Sequence, residues 1–144
     1  MCICNDRRWS ETYRVLALQG AELILLGYNT PLMNPEYPQT DPLVSFHHHL
    51  CLQSGAYQNG SWVVGVAKAG VEEGVDQLAE TSIVAPSGEI VAQARGTGDE
   101  LVVHACDLDA TRPYKEGIFN FEKNRQTQHY QLITGRRAAQ PPTG

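Results

Sequence analysis

The segment that most constrains this chain is its first 27 residues, where two patterns of different period follow one another. Between residues 10 and 19, Tyr13, Leu16, Ala17 and then Gly20 recur at helical spacing. Ser10 stands where an N-cap is expected, and Gly20 is placed to stop the helix at C′. Residues 21–27 then form a nearly continuous apolar run, the signature of a strand buried on both faces. Met1-Cys2-Ile3-Cys4 reads as a further buried strand, on which Cys2 and Cys4 would share a face. Strand, helix and strand in succession predict parallel neighbours in one sheet, and therefore an α/β fold.

The remainder extends that sheet. Residues 28–39 hold three prolines (Pro31, Pro35, Pro38) and read as a long irregular loop, a common home for function. From about Asp41, with Pro42 in the first turn, the chain reads as a helix to about Asn59, with Leu43, Phe46, Leu50, Ser54 and Tyr57 as its apolar stripe. Strands are predicted over 61–68, 82–85, 89–94 and 100–108. The second and third of these are joined as a hairpin by Pro86-Ser87-Gly88. A short helix capped by Asp109 is expected over 109–116, mixed aromatic and polar chain over 119–133, and a flexible tail over 134–144.

Length and charge narrow the function. With 144 residues and 42% hydrophobic content, the chain fits one globular domain with a real core. Its 11 Lys and Arg against 16 Asp and Glu form no basic stripe, which argues against nucleic-acid and anionic-membrane partners. The apolar runs are far shorter than the roughly 20 residues of a membrane helix. Asp6, Arg7 and Arg8 interrupt any signal-peptide pattern, so a soluble, cytoplasmic protein is expected. Four unevenly spaced cysteines do not make a disulfide framework.

Cys4 ends a strand just before a helix, a position that presents a thiol at a sheet edge and favours its thiolate. Asn5-Asp6-Arg7-Arg8-Trp9 follows at once, and guanidinium forks beside a nucleophile suit a substrate carrying a carboxylate. The run His47-His48-His49, with Cys51 beyond it, reads as structural: adjacent helical histidines diverge by about 100° and no second ligand cluster is apparent, so no metal is expected. Glu72-Glu73 reads first as a solvated loop pair and second as a pair near the pocket mouth, and Gly96-Thr97-Gly98 lacks the rest of a dinucleotide fingerprint, so no cofactor is implied.

Cys2-Ile3-Cys4-Asn5-Asp6-Arg7-Arg8-Trp9, with Tyr13-Arg14-Val15 and Gly27-Tyr28-Asn29-Thr30-Pro31, closely resembles the nucleophile segment of the nitrilase superfamily of carbon-nitrogen hydrolases, in particular its N-carbamoyl-D-amino acid amidohydrolases. Ser45-Phe46-His47-His48, the stretch from Gly55 to Gly60, Ile83-Val84-Ala85-Pro86, and Ile118-Phe119-Asn120-Phe121 with Gln128-His129-Tyr130 continue the likeness over nearly the whole chain. The resemblance implies part of a four-layer αββα sandwich with a mixed sheet. It implies Cys4 as nucleophile, the Asn5 backbone N–H as an oxyanion donor, Arg7 and Arg8 as partners of the substrate carboxylate, and Asn29 and Thr30 lining the pocket. It further implies an N-carbamoyl amino acid as the small-molecule partner, cleaved to D-amino acid, carbon dioxide and ammonia, and a homo-oligomer in which residues 119–130 reach another subunit.

The superfamily's triad is Cys, Glu and Lys, with the Glu and Lys motifs N-terminal to the Cys strand, and no residue here falls in those motifs. Residues 1–133 are accordingly expected to be the C-terminal part of such a hydrolase domain, with little or no activity alone, since coupled catalytic groups fail together. Two alternatives remain beside the amino acid hydrolase: another amidase or ureidopropionase-like branch, for which two arginines have no evident use, and a non-catalytic fragment that only assembles.

Overall fold

The computed structural model describes residues 1–139. Strand β1 (Cys2–Ile3) runs parallel to β2 (Leu23–Tyr28), which runs parallel to β3 (Trp62–Ala67). Two short strands, β4 (Val71–Glu72) and β5 (Val75–Asp76), form a separate hairpin. Beyond it β6 (Ser82–Val84) pairs antiparallel with β3 and with β7 (Ile90–Gln93). The five-stranded sheet therefore has the order β1-β2-β3-β6-β7 and is mixed, as expected for the α/β class. Helix α1 (Ser10–Leu18) links β1 to β2, and α2 (Val44–Tyr57) links β2 to β3. No helix among the described residues is long and apolar enough to cross a membrane.

Helix α1 begins one residue earlier than its sequence suggests: Trp9 takes the N-cap, and the Ser10 hydroxyl donates to Glu11 instead. It ends as predicted. Gly20, at φ +89°, donates to the Ala17 carbonyl and Ala21 donates to Leu16, the paired bonds that close a helix over a left-handed C′ residue. The side chains of β2 alternate, with Ile24, Leu26 and Tyr28 buried and Leu23 and Leu25 more than 40% exposed. The expectation of a strand covered on both faces is thus corrected: both helices pack on one side of it, where Tyr13, Leu52, Ala56, Val63 and Val84 complete the core.

Helix α2 departs further from expectation. A 3-10 turn (Pro38–Leu43) contains Pro42, and the α-helix starts only at Val44. The apolar stripe read from the sequence faces outward, with Leu43, Phe46, Leu50 and Tyr57 all exposed. The buried face is His48, Leu52, Gly55 and Ala56. Contact with α1 is the reason: a Cβ at position 55 would lie 2.5 Å from the Tyr13 ring, so only the small-residue face of α2 lets that ring in. The polar His48 goes inward with it because the Tyr28 hydroxyl is there to meet its Nε2 at 3.0 Å.

The hairpin of β6 and β7 forms as predicted, closed by Ala85 N–H to Glu89 O at 2.9 Å. Residues 100–108 do not join the sheet: none of 101–107 has a ladder partner, and Leu101 and Val103 are largely exposed. The segment is held instead by the Trp62 indole N–H, which donates to the Asp107 carbonyl at 2.8 Å. The short helix after it is capped by Asp107, whose carboxylate accepts from the Asp109 N–H, and splits into a 3-10 turn (Leu108–Thr111) and a π-turn (Pro113–Ile118). The aromatic segment packs on its own domain, with Phe119 edge-on to Tyr57 and Arg14 stacked over Phe121. Within the segment expected as a flexible tail, Thr134 and Gly135 belong to a last helical turn, α3 (Gln131–Gly135); 140–144 lie outside the described residues.

Candidate active site

The chain leaves β1 at Cys4 by adopting a left-handed backbone, φ +50°, which few non-glycine residues take without support. That turn separates two side chains expected on one face: Cys2 is buried in the core, whereas Cys4 is exposed at the carboxyl end of the sheet and opens a 3-10 turn (Cys4–Arg8). Asp6 closes this turn, its carboxylate accepting from the Ile3 N–H at 3.0 Å. The Cys4 thiol donates to the Asn29 carbonyl at 3.7 Å, linking it to the end of the neighbouring strand β2. Ligands gather beyond the carboxyl ends of parallel strands in such sheets.

Cys4, Asn5, Arg7, Arg8, Asn29 and Thr30 all line one cavity of about 570 Å³ at this sheet edge. The predicted site residues are therefore brought together, from segments more than 20 positions apart. The opposite wall comes from the loop after β2 and the start of α2, including Met33, Tyr37, Val44 and His47. Asn5 is the second residue of the 3-10 turn, and the opening N–H groups of a helical turn have no partner within it.

The two arginines differ sharply. Arg7 is 2% exposed. Its Nη1 donates to the Cys4 carbonyl at 2.9 Å, its Nη2 to the Thr30 hydroxyl at 2.6 Å, and its guanidinium carbon lies 4.3 Å above the Tyr28 ring. Burial, then the charge of Arg8, pushes its pKa below the ordinary arginine value. Arg7 thus holds Cys4 in its left-handed turn and ties the turn to β2. Arg8 is exposed and has no hydrogen-bond or ion-pair partner among the described residues. One guanidinium is engaged internally and the other is open to the cavity.

Behind Arg7 the polar contacts continue into the core. Burial, reinforced by the charges of His49 and Arg7, pushes the His48 imidazole down to about 3, so it stays neutral at ordinary pH. Burial likewise raises the Tyr28 phenol, which keeps its proton and its bond to His48. His48, His49 and Glu80 place potential ligand atoms within 4.8 Å of one another, a convergence that the 100° spacing of adjacent histidines does not suggest. These atoms largely have protein partners: Glu80 accepts from Ser45 on both oxygens and faces His49 at 3.6 Å, and His49 Nε2 contacts Gln93 at 3.2 Å. The cluster reads as a tie between α2 and β6.

The sequence does not single out Tyr28 or His47 for the site, and it offers Glu72 only as the second of two readings. Tyr28, under Arg7, is detectable in retrospect because it is in phase with Ile24 and Leu26. His47 reaches the cavity wall from the first turn of α2. Glu72, whose sequence favours a solvated loop over the pocket mouth, accepts from Asn29 Nδ2 at 3.2 Å and pairs with Lys68. No local pattern signals that last contact, which depends on the β4-β5 hairpin folding back over the end of β2.

The sequence profile of the carbon-nitrogen hydrolases matches residues 1–116. An N-carbamoylputrescine amidase of Arabidopsis thaliana is 30% identical over 143 aligned positions, covering 93% of this chain and 46% of the relative. A nitrilase of Pyrococcus abyssi is 28% identical over 129 residues, covering 89% of this chain and 44% of the relative. The chain thus spans a little under half the length of these curated relatives. Among solved structures, a carbon-nitrogen hydrolase from Helicobacter pylori superposes with a TM-score of 0.80 at 19% identity, covering 93% of this chain and 48% of that one. The shared fold is the nitrilase type.

Proposed function

This chain belongs to the carbon-nitrogen hydrolase family, and on that premise we propose that it carries the nucleophile and the carboxylate site of an N-carbamoyl-D-amino acid hydrolase. The observation that carries the proposal is the pairing, in one cavity, of an exposed cysteine with an exposed and unpartnered guanidinium. Arg8 takes the substrate carboxylate through a forked contact. Cys4 sulfur attacks the carbamoyl carbon, the Asn5 N–H supports the oxyanion, and the C–N bond to the amino acid breaks as its nitrogen takes the proton released by the thiol. Water then cleaves the S-carbamoyl intermediate to restore the thiol, and the carbamic acid released decomposes to carbon dioxide and ammonia.

Arg7 has a supporting part in this reading. With both Nη groups engaged, it braces Cys4 and Thr30 and leaves the carboxylate to Arg8. Asn29 and Thr30 shape the cavity beside the reacting bond. No carboxylate or ammonium among the described residues is in hydrogen-bond contact with Cys4 Sγ.

A second reading, an amidase for an N-carbamoyl amine or another neutral amide, is favoured by the relative named N-carbamoylputrescine amidase. One experiment separates them without requiring turnover. Alkylation of Cys4 by iodoacetamide is followed by peptide mass spectrometry in the presence of N-carbamoyl-D-phenylglycine, its L-enantiomer, or its uncharged carboxamide. The D-acid is expected to protect Cys4, and Arg8→Met to weaken that protection at least tenfold. Equal protection by the carboxamide selects the neutral-amide reading, and no protection by any of the three refutes both.

A further inference from the structure

The side chain of Asn29 lines the cavity but is held from outside it. Its Nδ2 donates to Glu72 Oε2 at 3.2 Å, while the other Glu72 oxygen, Oε1, pairs with Lys68. A carboxylate only accepts, so this contact orients the amide: Nδ2 faces Glu72. Oδ1 is left without a protein partner among the described residues, on a side chain that is exposed and lines the cavity with Cys4. The Asn29 main chain is fixed as well, since its carbonyl takes the Cys4 thiol.

Glu72 stands on a platform rather than a loose loop. The β4-β5 hairpin is laced to the segment carrying Asn29 by Leu32 N–H to Asp76 O at 2.9 Å, Leu78 N–H to Thr30 O at 2.8 Å, and a bridge between Pro31 and Gln77. At its base, Lys68 N–H donates to Tyr28 O at 3.0 Å and Gln77 N–H to Gly70 O at 2.9 Å. The carboxylate therefore moves with the strand end that it orients.

We infer that Glu72 is a positioning residue that sets Asn29 Oδ1 as the acceptor for an N–H of the substrate's ureido group. Resting on the hydrolase reading above, this gives the two ends of the substrate different partners. Arg8 offers donors to the carboxylate, and Asn29 offers an acceptor to the nitrogen side of the scissile group. An ester of the same shape has no hydrogen to give Asn29 and gains nothing from its orientation. Lys68 has the lesser task of holding Glu72 in place.

The test uses the 144-residue chain and the concentration of ligand that half-protects Cys4 from iodoacetamide. Two probes are compared: N-carbamoyl-D-phenylalanine, and O-acetyl-D-phenyllactate, which keeps the carboxylate and the D-carbon but has no N–H. Glu72→Met is expected to weaken protection by the ureido acid about fivefold, the worth of one oriented hydrogen bond, and to leave the ester unchanged. Glu72→Gln, which keeps one acceptor, should fall between Glu72→Met and the unmodified chain, and Lys68→Met should give a smaller loss than Glu72→Met.

Equal weakening for both probes shows that Glu72 only supports the local fold and overturns the inference, as does undiminished protection by the ureido acid in Glu72→Met. Failure of the ureido acid to protect the unmodified chain refutes the hydrolase reading itself, and the role of Glu72 falls with it. The two failures are therefore distinguishable.

Discussion

Replacing Arg7 with methionine should destabilise the chain while the same change at Arg8 should not, although the two are adjacent. Arg7 makes two hydrogen bonds from a charged donor and one cation–π contact, at 2.9, 2.6 and 4.3 Å. Bonds of that kind contribute about 1.5–3 kcal/mol each, and a partly desolvated cation–π contact about 1 kcal/mol. Against this stands the cost of burying a guanidinium that has no carboxylate beside it, which methionine removes while filling much of the same volume. Methionine also leaves the buried Thr30 hydroxyl without its Arg7 donor, and it frees Cys4 from the contact that holds its left-handed backbone. The balance is a loss of about 2 kcal/mol. With a urea m-value of about 1.5 kcal/mol/M for a chain of this size, the unfolding midpoint falls by about 1.3 M. Fluorescence of the buried Trp62 reports the transition. Arg8→Met, exposed and unpartnered, should shift the midpoint by no more than about 0.3 M. Coincident midpoints for the two variants would refute the division of labour between these arginines.

Other expectations follow from the core. Gly55→Ala drives a Cβ to 2.5 Å from the Tyr13 ring and should cost about 1–3 kcal/mol in thermal or urea unfolding, with a neutral effect showing that α1 and α2 are not in this contact. His48 stays neutral in the folded chain down to about 3, whereas the unfolded chain takes up the proton near 6.5. The His48 contribution is therefore complete above about pH 6.5 and is lost as pH falls toward 3, because the unfolded state then binds the extra proton. Stability should fall by up to about 1.4 kcal/mol per pH unit from this group, and His48→Gln should flatten the dependence between pH 6 and 4. An unchanged slope in that variant would mean that His48 accepts a proton while folded.

The site was more legible in sequence than the packing around it. Cys4 to Arg8 is local, and Asn29 and Thr30 follow from the end of the next parallel strand, so the wall nearest the sheet was legible in sequence, whereas the opposite wall from Met33 to His47 was not. The partition of Arg7 from Arg8 could not. It depends on which guanidinium meets the Tyr28 face and the Thr30 hydroxyl, and those groups approach only when β1 and β2 pair. The contact of Glu72 with Asn29 was invisible for the same reason, because a carboxylate in a turn looks solvated until a neighbouring strand end folds beneath it.

By itself the sequence determined the α/β class, the parallel start of the sheet, the β6-β7 hairpin and the place of an exposed cysteine at the end of the first strand. These features rest on short-range periods, turn residues and a motif within a few positions. Tertiary structure decided which face of α2 turns inward, that residues 100–108 run beside the sheet rather than in it, and which arginine stays free. Each of those outcomes is a competition between distant groups for space and hydrogen bonds. The Tyr13 ring admits only a glycine opposite it, and the Tyr28 hydroxyl makes burial of a histidine acceptable. Such choices depend on what stands across the gap, which local sequence does not encode.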